Sequence, residues 1–509
     1  MWHNPSMKLL KKHKTPFHPR RDPKYTGPVC AETLCAIFSD CQDFEHREIY
    51  VGGNKHIRAV VCYLDGVVSG GDVAESIIRP LTEAARFEDA HSARDCIGLI
   101  ERGAVYSGSM SPAETTDELC RFLVNGFCAV VFDSEQRAVC FEVRNPNARS
   151  IEQPSTEKSV KGAKDAFVEV LRTNTTLIRR KLRDPALKLR QTVIGRKSTT
   201  NVAVLYYDGI ADRARVEELM RRLDAIDIQG MLTTASLEEY IISHPRSPFP
   251  QLLHTERPDL FAQSLLAGRI GILIDGIPLG FLLPATFFRL MHVPDDGAQH
   301  YAVATALTVL RYLSLVLAIL LPAFMVAVEM YHQEMIPTKL LISMIQAKQQ
   351  VPFGVAIEVL SMLIAFELLQ EAGLRLPDSI GQTVSIIGAL IVGQSAVDAS
   401  VISPIAVIIV ALSGICGFTI PSPDLSTAVR LCRFLMVLCA IAAGMYGLMA
   451  GVAMLVYHLA TIESFGVDYL SPISDRGLYQ ALRAILRPPL RHRKFRDPAL
   501  DTPDKRTQR

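Results

Sequence analysis

The chain changes character near residue 300. Before that point apolar residues come in short runs separated by polar turns. From 303 to 462 they dominate, with a few isolated charges. Three runs in the first half close on Asp-Gly: 57–66 (IRAVVCYLDG), 202–209 (VAVLYYDG) and 270–276 (IGILIDG). Short runs rich in Val, Ile and Tyr and stopped by a turn dipeptide predict buried strands. Helical patterns follow the first two, over 67–81 and 211–226. The second carries Val216, Leu219, Leu223 and Ile226 on one face. Strand, turn and helix make a βα unit, and the Asp-Gly pairs read as turns. Segments 128–133 and 138–143 predict a hairpin around 134–137. A polar linker with Pro146 and Pro154 covers 144–164. The basic helical stretch 166–190 reads as a solvated face, or as a surface for a neighbouring subunit or anionic headgroups.

In the second half, 312–328 is free of charge and extends back to 303 if Arg311 snorkels. A bilayer core needs about 20 apolar residues of helix. Segment 355–369 is a weaker span that contains Glu358 and Glu367. Segment 380–420 holds one charge, Asp398, and Pro404; it predicts one crossing joined to a broken or re-entrant part. Segment 434–462 predicts a single span. With both ends inside, four crossings are expected. Two stripes of small residues predict close helix contacts or a gate: Ala389, Gly393, Ala396, Ser400 and Ser403, then Ala440, Gly444, Gly447 and Gly451. Gln394 and Asp398 lie four apart on one helix face. A carboxylate in hydrocarbon costs several kcal/mol unless it faces protein or water, so these two residues, with Glu358 and Glu367, are the candidate pore or coupling residues. Glu358 and Glu367 are nine positions apart and cannot share one stripe.

Composition adds little to this division. The 509 residues carry 54 Lys+Arg against 52 Asp+Glu, a net charge of +2 that excludes a general nucleic-acid binder. Residues 1–28 hold seven Lys/Arg, one Asp and no apolar core, so they read as a flexible basic arm without an export signal, near anionic lipid at most. Eleven cysteines, eight before residue 150, are expected as free thiols. No CxxC, GxGxxG or GxxxxGK[ST] occurs, so neither metal, cofactor nor catalytic residues are assigned, and no enzyme is expected. The organisation expected is a basic arm (1–28), a first α/β subdomain (29–145), a linker with a basic helix (146–197), a second α/β subdomain (198–300), an all-α transmembrane bundle (301–465) and a basic cytoplasmic tail (466–509).

Several stretches together resemble the A subunit of the GerA-type spore germination receptors. They are 171–182 (LRTNTTLIRRKL), 195–200 (GRKSTT), 247–250 (SPFP), 255–259 (TERPD), 265–278 (LLAGRIGILIDGIP), 332–338 (HQEMIPT), 367–399 (ELLQEAGLRLPDSIGQTVSIIGALIVGQSAVDA) and 464–472 (SFGVDYLSP). They occur in order and cover roughly 55–475. Three elements depart from the family pattern. Its PEDYY-like word is VPDDGAQHY at 293–301, its Arg-Gly-Pro-Arg is Lys161-Gly162-Ala163-Lys164, and the Glu of its AVEA word is Asp398.

The resemblance implies a multi-pass protein of the spore inner membrane with a two-part cytoplasmic N-terminal region. It would act with a permease-like B subunit and a lipoprotein C subunit. Nutrients would trigger germination through release of monovalent cations, and the A subunit would form an oligomeric, pentameric, gated channel. The resemblance places the nutrient pocket in the B subunit, so no ligand residues are assigned. Two alternatives stand beside the channel: a proton-coupled secondary transporter, and a non-conducting scaffold for the other subunits.

Overall fold

The computed structural model describes residues 24–87, 90–105, 109–144, 154, 157, 162–231, 233–375 and 393–477, and in the tail 482, 485–486, 489, 492 and 494–507. The chain forms two compact units, Met1–Ala148 with Leu182–Lys188, and Arg149–Lys181 with Leu189–Arg509. The unit boundary therefore cuts through the stretch expected to be one basic helix.

The first unit holds strands β1 (Phe44–Tyr50), β2 (Arg58–Leu64), β3 (Met110–Ala113), β4 (Phe127–Phe132) and β5 (Arg137–Glu142) in the order β1-β2-β4-β5-β3, with antiparallel pairing. Helix α1 (Ala31–Ile37) and helix α2 (Thr116–Val124) cover one face, against Cys62, Val131 and Cys140. The helical stretches 70–82 and 93–104 cover the other, against Val61, Val130 and Phe141. Burial on both faces is why β2 and β4 read as continuous apolar runs and not as alternation.

The second sheet holds β6 (Leu187–Ile194), β7 (Thr200–Tyr207), β8 (Leu253–Thr255), β9 (Ile270–Ile274) and β10 (Gly280–Leu283), all in the second unit but for Leu187 and Lys188. Their order, β6-β7-β9-β10-β8, repeats that of the first sheet when each sheet is counted from its own first strand. Asp-Gly closes the second strand of each sheet and leads into a helix, as expected. The third Asp-Gly instead closes the antiparallel hairpin β9–β10. Its Asp275 does more than turn the chain: Oδ1 accepts the backbone N–H of Leu171 at 3.0 Å, at the start of helix α3 (Leu171–Lys181). Helix α3 is not a solvated face, because Asn174 is fully buried and Arg179 is 2% exposed.

Helices α4 (Arg213–Asp224), α5 (Thr234–Ile241), α6 (Pro258–Leu266) and α7 (Phe287–Leu290) complete this part of the fold. The α6 contact is close. A Cβ on Gly271 would lie 2.6 Å from Phe261 Cε1, and one on Gly280 would lie 2.6 Å from Phe261 Cδ2. Gly271→Ala is therefore expected to cost about 1–3 kcal/mol by overpacking, read as a lower unfolding midpoint of the full chain.

The remainder is mostly helical: α8 (Tyr301–Tyr331), α9 (Thr338–Lys348), α10 (Val355–Arg375), α11 (Pro404–Phe418) and α12 (Pro423–Thr461). By length and composition, α8 and α12 are apolar enough to cross a membrane, with mean hydropathies of 2.3 and 2.1. Pro404 breaks no helix. It stands in the first turn of α11 behind the N-cap Ser403, where its missing N–H costs nothing.

Helix does stop over 399–403, inside the block 380–420 expected to be broken, and a further break falls in α12, where a single span was expected. Ala443 (φ −145, ψ 21) and Gly444 (φ 59, ψ −133) leave the helical region. Beyond them the chain turns back on itself. A Cβ on Gly447 would meet the carbonyl oxygen of Cys439, and one on Gly451 would lie 3.0 Å from Met436 Sδ. In a straight helix residues 436 and 451 would be about 22 Å apart. Segments 423–442 and 445–461 are therefore two arms of a hairpin, about 30 Å and about 25 Å long.

Candidate functional site

Both ends of the α12 hairpin meet the second sheet's subdomain. Asp424 at its start lies 2.9 Å from His254 Nδ1 on β8, and His458 near its end lies 2.9 Å from Ser247 Oγ. The chain after it stays there: Ser464 Oγ donates to the Gln251 carbonyl at 3.0 Å and accepts the Ala285 N–H at 3.2 Å. The hairpin's turn packs at the other end of α8, where Tyr331 donates to the Ile441 carbonyl at 2.7 Å and a Cβ on Gly444 would lie 2.9 Å from the Tyr331 side chain.

His254 holds the near end. Its Nε2 is 2.8 Å from Glu238 on α5 and its Nδ1 faces Asp424, so one imidazole ties two acidic elements together. Burial opposes its charge, but the two carboxylates outweigh burial and raise the pKa from 6.5 to about 9. A raised pKa contributes stability below the unfolded value, and that stability is lost as pH climbs through the folded one. The unfolding midpoint is therefore expected to fall between about pH 6.5 and pH 9, by up to about 3 kcal/mol of stability, and Asp424→Asn should flatten that slope.

The same principle of paired charge recurs among the apolar helices. Asp296, in the VPDDG word, accepts both guanidinium arms of Arg311 on α8 at 2.7 Å. Asp295 lies 3.5 Å from Arg257. Arg311 thus ends in an ion pair and not at a free interface. Toward the far end, Lys348 at the end of α9 joins Glu329 of α8 and Glu358 of α10, the latter at 3.2 Å. Glu358 is fully buried, and its Oε2 accepts the Ser403 N–H at 2.9 Å, so it caps α11 at the positive end of that helix. Glu367, two and a half turns along α10, faces α12 instead. It pairs with Arg430 at 2.6 Å and Arg433 at 3.8 Å. Arg433 is 2% exposed, donates to Ser413 Oγ at 3.3 Å and lies 5.8 Å from the centre of the Phe366 ring. Ser413 passes the contact on to the Ala318 carbonyl of α8 at 2.9 Å.

The remaining candidates are placed as follows. Gln394 and Asp398 are exposed on a short helical segment over 393–398, apart from both acidic clusters. Ser400 donates to Gln350 at 3.2 Å, and Ser403 is a buried N-cap. The Ala396 carbonyl accepts from Val401 at 2.9 Å. A Cβ on Gly393 would make only an ordinary contact with Val407 at 3.7 Å, and Ala389 lies outside the described residues. Among the described glycines of the apolar helices, the tightest approaches are at Gly444, Gly447 and Gly451, beside the buried Ala440, and at Gly414, where a Cβ would lie 2.8 Å from Phe366 Cε1. The bases Lys348, Arg430 and Arg433 are site residues that the sequence reading passed over. Among the described residues no three His, Cys, Asp or Glu side chains gather to hold a metal ion, and the cysteines are free.

The family described as Bacillus/Clostridium GerA spore germination protein matches residues 32–499. The chain belongs to the GerA spore germination family. Spore germination protein KA of Bacillus subtilis (strain 168) is 36% identical over 455 residues, covering 89% of this chain and 83% of that one. A second relative of the same organism, called the uncharacterized membrane protein YfkQ, is 37% identical over 444 residues, covering 87% and 85%. The crystal structure of the N-terminal domain of the A subunit of the Bacillus megaterium spore germinant receptor GerK3 covers 52% of this chain and 99% of that domain, at 29% identity and a TM-score of 0.42. For this GerA chain the buried ion pairs described above are the chemistry at hand. They hold charge inside an apolar helical body.

Proposed function

We propose that this chain is the A subunit of a nutrient-responsive germination receptor, embedded in the spore inner membrane with its N-terminal region in the cytoplasm. Copies of it oligomerise, as a pentamer, into a gated path for monovalent cations, alongside a permease-like B subunit and a lipoprotein C subunit. The observation that carries this reading is the α12 hairpin. A turn at Gly444 sends two apolar arms back to one soluble subdomain, so a movement of that subdomain is felt by both arms together. In such an assembly Gln394 and Asp398, exposed on the single chain, face a wet path or a neighbouring copy.

Planar-bilayer recording of the purified chain tests it. Stepwise cation currents are expected, and Asp398→Asn should change their amplitude or selectivity. Silent bilayers over a sealed, oriented reconstitution would defeat the channel. The scaffold reading has an observation of its own: Glu358 and Glu367 are neutralised inside one chain by Lys348, Arg430 and Arg433. It expects no current, together with intact nutrient-triggered release when Asp398→Asn is carried in spores.

A further inference from the structure

A cavity of about 310 Å³ opens where α6, α7, β8 and the start of α12 come together. Its walls include Ser264, Arg289, Glu157, His254 and Asp424. His254 and Asp424 already hold each other. Two other groups are without partners. Ser264 is 2% exposed, and its Oγ has no hydrogen-bond partner. The Arg289 guanidinium makes no hydrogen bond or ion pair among the described residues. Burial and the nearby Arg269 lower its pKa to about 10. Arg269 is itself weakly compensated, since its one carboxylate among the described residues, Asp497, stands 3.9 Å away. A buried hydroxyl and a half-buried guanidinium, neither hydrogen-bonded among the described residues and both beside a cavity, call for an acceptor that bears charge.

Glu157 narrows the choice. Its Oε2 accepts from Thr255 Oγ1 at 2.6 Å and from the Glu256 N–H at 3.1 Å, which fixes a carboxylate on the cavity wall, electrostatically coupled to Arg289. A fully deprotonated anion such as sulfate, a carboxylate or a phosphodiester headgroup would meet that carboxylate lone pair to lone pair. Inorganic phosphate keeps a P–OH at neutral pH and can donate it.

We propose that this cavity is an inorganic phosphate site, in which Arg289 and Ser264 donate to P–O oxygens and Glu157 accepts the P–OH. The first turn of α12 forms part of the wall, so an occupied site would tie α6 and α7 to the base of the hairpin. The proposal does not depend on conduction.

The test is the unfolding midpoint of the full chain in detergent, with phosphate compared against sulfate at about 10 mM and matched ionic strength. Phosphate is expected to raise the midpoint by roughly 2–4 °C and sulfate to leave it unchanged. Arg289→Met should lose the phosphate shift. Glu157→Gln, whose amide can donate to any oxyanion, should let sulfate stabilise as well, and it carries the test if Arg289→Met does not fold. No phosphate shift, an equal shift with sulfate, or a Glu157→Gln chain that still rejects sulfate would each overturn the proposal. Stabilisation by phosphodiester lipid nanodiscs over choline-only detergent, without a free-phosphate shift, would do so too, since it would mark a headgroup contact.

Discussion

Gly444→Val is expected to open the α12 hairpin and to lower stability by about 2–5 kcal/mol. Two costs combine. The backbone at φ 59, ψ −133 is one that only glycine adopts without strain. A Cβ there would also lie 2.9 Å from the Tyr331 side chain, which is held by its hydrogen bond to the Ile441 carbonyl. Neither neighbour can retreat without uncoupling the turn from α8. Spin labels at the exposed positions Leu435 and Met454 read the geometry directly. They sit at matching heights on facing arms, so their backbones should be about 10 Å apart in the hairpin. In a continuous helix they would be about 28 Å apart. Gly417→Ala is the control: it lies in α11 with open space around its Cβ position, and it should cost nothing or add up to about 1 kcal/mol of helix stability. If Gly444→Val unfolds at the native midpoint with an unchanged label distance, the turn is not set by glycine.

Much of the soluble part was legible because its strands are buried on both faces. The runs ending at Leu64, Tyr207 and Ile274 are strands within or next to the expected spans, and the hairpin around 134–137 is present as β4 and β5. What sequence reading missed there was partnership. It took Asp275 for a turn residue, although its side chain also caps α3 from a hundred residues away. It took 166–190 for a basic helical stretch, solvated or facing a neighbouring subunit or headgroups, although Asn174 and Arg179 are buried and the stretch passes into β6.

In the helical part, hydropathy located apolar segments and the interruption within 380–420, but not the break in α12. Proline is the usual signal of a broken helix, yet Pro404 starts one. The glycines at 444, 447 and 451 were noticed as a packing stripe, and they do pack closely. Gly444 meets Tyr331 of α8, while Gly447 and Gly451 meet Cys439 and Met436 of the same helix, which periodicity alone cannot reveal, because it assumes that the axis continues. Acidic residues were singled out for their cost in lipid, while Lys348, Arg430 and Arg433 were not singled out. Charge neutralisation inside a chain depends on which helices touch, and that is tertiary information.

Removing the Glu367 carboxylate is expected to have the other large effect. In Glu367→Ala two guanidinium groups on α12 lose their counter-charge, and one of them, Arg433, is 2% exposed. Breaking a buried pair from one side costs about 3–5 kcal/mol, since the remaining ion stays desolvated and unpaired. Ser413 and the Phe366 ring give partial compensation only. Arg433→Leu in the Glu367→Ala background should therefore recover part of the loss, and a double-mutant cycle on unfolding midpoints would show a coupling of at least 1 kcal/mol. The same measurement bears on conduction. If Glu367 borders water in the assembled protein, its removal in the reconstituted oligomer should cost under about 1 kcal/mol, as for a solvated pair, while cation currents change. If the full penalty persists after assembly, the Glu367–Arg433 pair is a structural link between α10 and the first arm of the hairpin, and the conduction proposed above would have to run elsewhere, beside Gln394 and Asp398.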